Sequence, residues 1–182
     1  MKKIFSIILF VFVLNIITDS RSTTIDLLKE KIEHRQENFP MGDLNDVEYI
    51  KNIINQMFLI DQEIRQYFIE NTNDQEVIKL MEKVDCFNTT KMKEILSVHG
   101  WTIISKFGAQ ADDQAWSLVQ HADHDPFFQA GCLFILGALI DKTETVKKNS
   151  FLYDRVALKF PALGMKQKYG TQLNDEFEAT PA

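Results

Sequence analysis

The chain is poor in the residues that punctuate β-structure, with 7 Gly and 4 Pro in 182 residues. An all-β sandwich needs turn signals about every 8–12 residues, so this scarcity argues against a turn-dense β architecture. Cysteine is scarce too: Cys86 and Cys132 are the whole supply, at a spacing that marks no metal or redox motif. In an oxidising compartment they can form one disulfide, or they are two small buried thiols; the sequence leaves both open. No block of basic residues relieves the net charge of −6. The phosphate-neutralising surface that nucleic acid requires is missing, and no nucleic-acid partner is expected. Internal repeats, low-complexity linkers, a GxSxG elbow and HExxH or ExxH spacing are absent as well. No nucleophile stands out, and neither a metal nor another cofactor is expected.

What is present is the composition of a folded globule, 45% hydrophobic with 14 Phe, at a length suited to one domain. The first 22 residues read as a secretory signal: Lys2 and Lys3, an apolar run from Ile4 to Ile17, then small and polar residues that include Thr18 and Ser20. The run is short for a span of about 20 residues. No cysteine follows it, so lipoprotein processing is unavailable. Residues 23–182 are then the mature domain, exported to the periplasm or medium, with a retained N-terminal anchor as the alternative; membrane contact is expected only through that segment, if it is not cleaved.

From Thr24 onward apolar residues recur at helical spacing, which predicts a mainly α, single compact domain of about six helices with an irregular C-terminal tail. The predicted segments are 24–38, 44–71, 74–99, 109–122, 126–141 and 146–160, with one short β-like stretch at Trp101–Ser105. Asp43 and Asn73 are candidate N-caps, Gly100 a stop, Asp125-Pro126 an N-cap/N1 pair, and Pro161 the end of the last helix. The segment PFFQAGCLFILGALI is apolar nearly all round, which predicts a helix surrounded by others.

Projection at about 100° per residue exposes polar residues on apolar stripes. Asp61 and Arg65 fall within the stripe of the second helix, i,i+4 with the acid first, either as a buried pair tying helices together or as part of a site. Asp85 and Asn88 project from or beside the stripe of the third, where Asn88 can instead cap a new helix at a break. Gln129 is the one polar side chain of the fifth, and it must find hydrogen bonds from a neighbouring helix or a ligand. Asp154 and Arg155 are adjacent in the sixth and diverge, so each must reach a different partner. The junction HADHD gathers His121 with Asp123, His124 and Asp125; contiguous ligands in a tight turn do not converge on a metal, while an imidazole beside carboxylates suits proton transfer. Asp125 as a plain cap and His121 as a rim residue remain the simpler alternatives.

At these residues the chain resembles a bacterial family defined by a domain of unknown function. "GW" at 100–101, "AWSLVQHADHDPFFQ" at 115–129, "LYDRV" at 152–156 and "QKYGTQ" at 167–172 match its pattern QHAD-x-DP-x-FQ, L-x-DRV and Q-x-YGTQ. Asp61/Arg65 and Asp85/Asn88 match its D-x-x-x-R and D-x-x-N positions, and the likeness runs from about residue 45 to 175. Thr102 departs from it, standing where a proline commonly follows "GW". The resemblance implies a shared helical domain and a shared polar constellation, which on this chain is Asp61, Arg65, Asp85, Asn88, Gln120, His121, Asp123, Asp125, Gln129, Asp154, Arg155, Gln167, Tyr169, Gly170, Thr171 and Gln172. It implies no particular activity.

Two functional readings follow. In the first, a metal-independent hydrolase or lyase uses His121 as general acid or base, Asp123 or Asp125 to orient it, Arg155 or Arg65 to hold an anionic group, and Gln129, Tyr169 and Gln172 to bond a small polar substrate. In the second, the inward polar groups form a structural network, or hold a small ligand without chemistry, and "QKYGTQ" is a clasp.

Overall fold

In the computed structural model, residues 24–72, 74–140, 142–145 and 149–172 are described. Every regular element among them is helical: α1 (24–37), α2 (Val47–Glu70), α3 (Gln75–His99), the single turn α4 (Ile104–Phe107), α5 (Ala109–Gln120), α6 (Pro126–Ile140) and α7 (Asn149–Lys159). A 3-10 turn at Pro161–Leu163 and an irregular tail follow. The six predicted segments correspond to α1–α3 and α5–α7, in a single compact mainly α domain. The signal-like segment and the Asn73 cap lie outside the described residues.

Local chemistry sets the helix ends, sometimes one turn from where the pattern suggested. Asp46, not Asp43, caps α2, accepting from the backbone N–H of Glu48 at 2.9 Å and of Tyr49 at 3.3 Å. Asp43 instead accepts from the backbone N–H of Asn45 at 2.8 Å, which folds the preceding turn. Asp74 caps α3, and Gly100, at φ +69°, ends it in a conformation that a Cβ disfavours. The β-like stretch forms no strand among the described residues. Trp101 turns inward and hydrogen-bonds through its indole N–H to Asp112 at 2.5 Å, and the chain from Ile104 coils so that Phe107 enters the core.

The core has two parts. The main cluster joins Ile50, Ile53, Ile54 and Met57 of α2 with Met92 and Ile95 of α3, Ala115, Leu118 and Val119 of α5, Leu136 of α6, and Leu152 and Val156 of α7. A smaller cluster docks α1 through Ile25, Leu28 and Ile32 on Ile60 and Ile64 of α2 and Val77, Leu80 and Val84 of α3. Surface pairs reinforce it, Arg35 with Glu63 at 3.0 Å and Lys83 with Glu33 at 2.8 Å.

The expected setting of α6 is corrected. α6 is not surrounded: it lies at the edge of the bundle paired with α7, burying Gln129, Cys132 and Leu136 while Phe127 and Phe134 stay 77% and 83% exposed. The cysteines are both free; Cys132 is buried, which pushes its thiol up to about 12, whereas Cys86 is exposed.

Candidate functional site

Helices α2, α3 and α5 bring the inward polar residues of three segments to one place. Asp61, fully buried, and Arg65 stand one turn apart on α2, and Arg65 Nε lies 3.1 Å from Asp61 Oδ1. α5 ends at Gln120, so His121 leaves the helix and turns its ring to α2, with Nδ1 2.9 Å from Asp61 Oδ1 and 3.1 Å from Oδ2. A bare Nδ1 lone pair facing both carboxylate oxygens would be repelled, so Nδ1 carries the proton and donates it to Asp61. The 2.8 Å between Arg65 Nε and His121 Nδ1 is then the approach of two donors that converge on one oxygen. In that tautomer Nε2 keeps its lone pair, and nothing among the described residues hydrogen-bonds to it. Neither Asp123 nor Asp125 bonds to the ring; Asp61 orients it.

Arg65 reaches further. Its Nη2 donates to Asp85 Oδ1 at 2.5 Å and its Nη1 lies 3.3 Å from the Met81 sulfur. Burial raises the Asp61 carboxyl, but the His121 hydrogen bond and the charges around it outweigh burial and hold it below the usual range. Asp85 goes the other way. Burial, opposed by Arg65 and aided by the negative charge of Asp61, lifts it to about 6. One guanidinium cannot fully neutralise both acids, and the less enclosed of the two gives way.

A second cluster adjoins the first across the α5–α6 junction. Arg155 of α7 grips Asp123 with both arms, Nε to Oδ1 at 2.7 Å and Nη2 to Oδ2. Its hydrogen bond to Asp123, acting against burial, raises the arginine, and Asp85 is near enough for its charge to add to that effect. Burial raises Asp123, but Arg155 more than offsets it and keeps the carboxyl low. Gln129 closes the junction from α6, its amide N–H group donating to the carbonyls of Gln120 at 2.9 Å and Val119 at 3.2 Å.

Four buried polar atoms of this region have no hydrogen-bond partner among the described residues: Gln129 Oε1, Thr89 Oγ1, and the Oδ1 and Nδ2 of Asn88. α3 runs unbroken through Asn88, so the residue caps nothing. Thr89 lies midway between Asp85, bonded to Arg65, and Lys93, paired with Asp125, on one side of α3. Asn88 follows Asp85 by three residues and so lies near it on the surface of α3. An unpaired buried amide costs about 1–3 kcal/mol, which folding alone gives no reason to keep.

The remaining expected site residues take other positions. Asp125 caps α6, accepting from the Phe128 N–H at 3.0 Å, and pairs with Lys93, which with that bond lowers its carboxyl. Gln120 contributes its backbone carbonyl. Asp154 is sealed beneath the tail, accepting from the backbone N–H groups of Lys168 at 2.7 Å, Tyr169 at 3.1 Å and Thr171 at 2.9 Å, and from the Thr171 hydroxyl at 3.0 Å. Burial raises this carboxyl, and the hydrogen bonds together hold it low. Gln172 donates its N–H to Gln167 Oε1 at 2.9 Å, closing the loop, and the half-exposed Tyr169 ring meets Tyr153 edge-on at 5.8 Å. Adjacent Asp154 and Arg155 thus reach different partners, as their divergence requires. Thr89, Asp112, Gln114 and Thr145 are buried polar residues that escaped notice, and of these Asp112, fully buried, receives the Trp101 indole and the Thr145 hydroxyl at 2.9 Å. It shares the α5 stripe of Ala115 and Val119, so the projection that flagged Asp61 could have found it.

Fold and site together define an all-helical domain with an interhelical Asp–His–Arg cluster. The chain belongs to the family described as "Family of unknown function (DUF6624)", whose model matches residues 46–179. No curated protein and no solved structure matches it. Among the described residues no group of three or more His, Cys, Asp or Glu side chains is placed to hold a metal ion; between Asp61 and Asp85 the positive charge is supplied by Arg65.

Proposed function

We propose that the protein is an exported, metal-independent hydrolase or lyase in which the His121–Asp61 pair acts as a general base. The observation that carries this reading is the ring geometry: Nδ1 stands 2.9 Å from a fully buried carboxylate, and with the proton on Nδ1 the ring presents the Nε2 lone pair, to which nothing among the described residues hydrogen-bonds. Asp85, lifted to about 6 beside that ring, suits the complementary proton donor. His121, Arg65 and Asp85 keep 17%, 22% and 13% of their side chains exposed, which gives a small substrate an approach. Arg65 and Arg155 are each already engaged by carboxylates, so their role is to hold acids and ring in place and to meet a polar or anionic group at their outer edges. The apolar N-terminal run supports export.

The test is a panel of chromogenic ester, phosphoester, amide and glycoside substrates, run with wild type and His121→Gln. Turnover that falls by a factor of about 100 or more in a variant of near-native melting temperature supports the reading. A variant that turns over substrate at the wild-type rate removes His121 from the chemistry. The second reading, a structural network, is favoured by the same bonds if every substrate is inert and each break at Asp61, Arg65 or His121 costs several kcal/mol.

A further inference from the structure

We propose that the open groove between α6 and α7 is a docking face for a lipid bilayer rich in anionic headgroups. The groove has a volume of about 600 Å3, and its walls include Phe127, Leu133, Phe134, Phe160, Leu163 and Tyr169. Its ridges stand in solvent, Phe127 at 77%, Phe134 at 83% and Leu163 at 75% exposed. Phe127 and Phe134 are seven residues apart and share one side of α6, a helix without a single charged residue from Pro126 to Ile140. An apolar surface of this kind, rimmed by polar groups, marks an interaction face.

The rim states the sign of what it meets. Lys159, Lys166 and Lys168 are exposed and adjoin the groove residues Phe160, Met165 and Tyr169 in sequence, and the Lys168 ammonium lies 5.3 Å from the Tyr169 ring centre. Residues 126–172 hold seven basic residues against three acidic ones, in a chain whose net charge is −6. Of those acids Asp154 is sealed under the tail and Glu144 is bonded to the Ser105 backbone N–H at 2.8 Å, while of the bases Arg155 is bound to Asp123 and Lys159 Nζ stands 3.9 Å from the same carboxylate, so that Lys166 and Lys168 carry the charge of the rim. The face therefore joins protruding rings to outward lysines, the pairing that seats in the boundary between acyl chains and an anionic headgroup layer. The walls offer few directional hydrogen-bonding groups, chiefly Asn149 and the two tyrosine hydroxyls. A protein interface needs more of these, and fluid acyl chains need none. No helix among the described residues is long and apolar enough to cross a membrane, so α6 would lie on the surface.

The test reads depth at one position, because the N-terminal run can itself bring the full chain to vesicles. Phe134→Trp in the full chain is mixed with vesicles of phosphatidylcholine, with or without phosphatidylglycerol, carrying brominated acyl chains. Trp101 and Trp116 are buried and supply a background measured on wild type. The expected result is a blue shift and bromine quenching of the indole at position 134 in phosphatidylglycerol vesicles, with the partition coefficient falling roughly fivefold for each of Lys166→Gln and Lys168→Gln. Absence of quenching in both vesicle types overturns the proposal, as does quenching indifferent to phosphatidylglycerol and to the lysines. An emission shift that grows with protein concentration without lipid assigns the face to a second copy of the chain and overturns it too.

Discussion

Around His121 one guanidinium serves two carboxylates, and the two respond to pH in opposite directions. Asp61 is held low, so its contribution to stability is present above the ordinary carboxylate range and is lost as the medium becomes acidic. Asp85 is lifted from 3.8 to about 6: folding penalises its ionised form, and its contribution is complete below the ordinary range and lost as pH rises through about 6. The difference amounts to about 2–3 kcal/mol. Asp85→Asn, which imitates the protonated acid, should therefore gain on wild type by about 5 °C in melting temperature between pH 4 and pH 7. Melting curves across that window check it; a gap that does not move with pH shows a carboxyl unchanged by folding, and one in which wild type gains on the variant as pH rises assigns Asp85 to a plain ion pair.

At the scale of elements, the C-terminal tail is held by one carboxylate. Asp154 takes three backbone N–H groups and a hydroxyl from residues 168–171, an arrangement that neither helical period nor turn composition describes. Asp154→Ala should cost about 2–4 kcal/mol and release those amides to fast hydrogen exchange while α5 keeps its protection; unchanged exchange at Lys168 and Thr171 would show the loop held by other means. The same contrast explains what could be read in advance. Helices were legible because Ile50, Ile53, Ile54 and Met57 repeat at 3.6 residues and Gly100 stops α3, and the Asp61, Arg65 and Asp85 anomalies were legible because they interrupt such repeats. Pairings between helices were not. Asp61 as the partner of His121 depends on how α5 leans on α2, 60 residues away in the chain, and HADHD offered two nearer acids that turned to Arg155 and to the α6 cap. The environment of α6 was misjudged because an all-apolar composition fits a buried helix and an edge helix with an exposed apolar face equally well.

For the whole molecule, the division of the core has an energetic meaning. α1 is attached through its own cluster, with Ile32 fully buried at its centre, and Trp101 and Trp116 belong to the other. Ile32→Ala should destabilise by about 2–4 kcal/mol, and much of that should appear as opening of α1 alone. Hydrogen exchange should speed up in 24–37 before α5, with tryptophan emission unchanged. Simultaneous loss of both signals would mean the two clusters unfold as one.

That attachment touches the site from behind. Ile60 and Ile64 face α1, and Asp61 and Arg65 are the next residues along the same turn of α2. α1 is therefore the outer wall of the stretch of α2 that carries the acid and the arginine, and its docking shields their backbone from solvent.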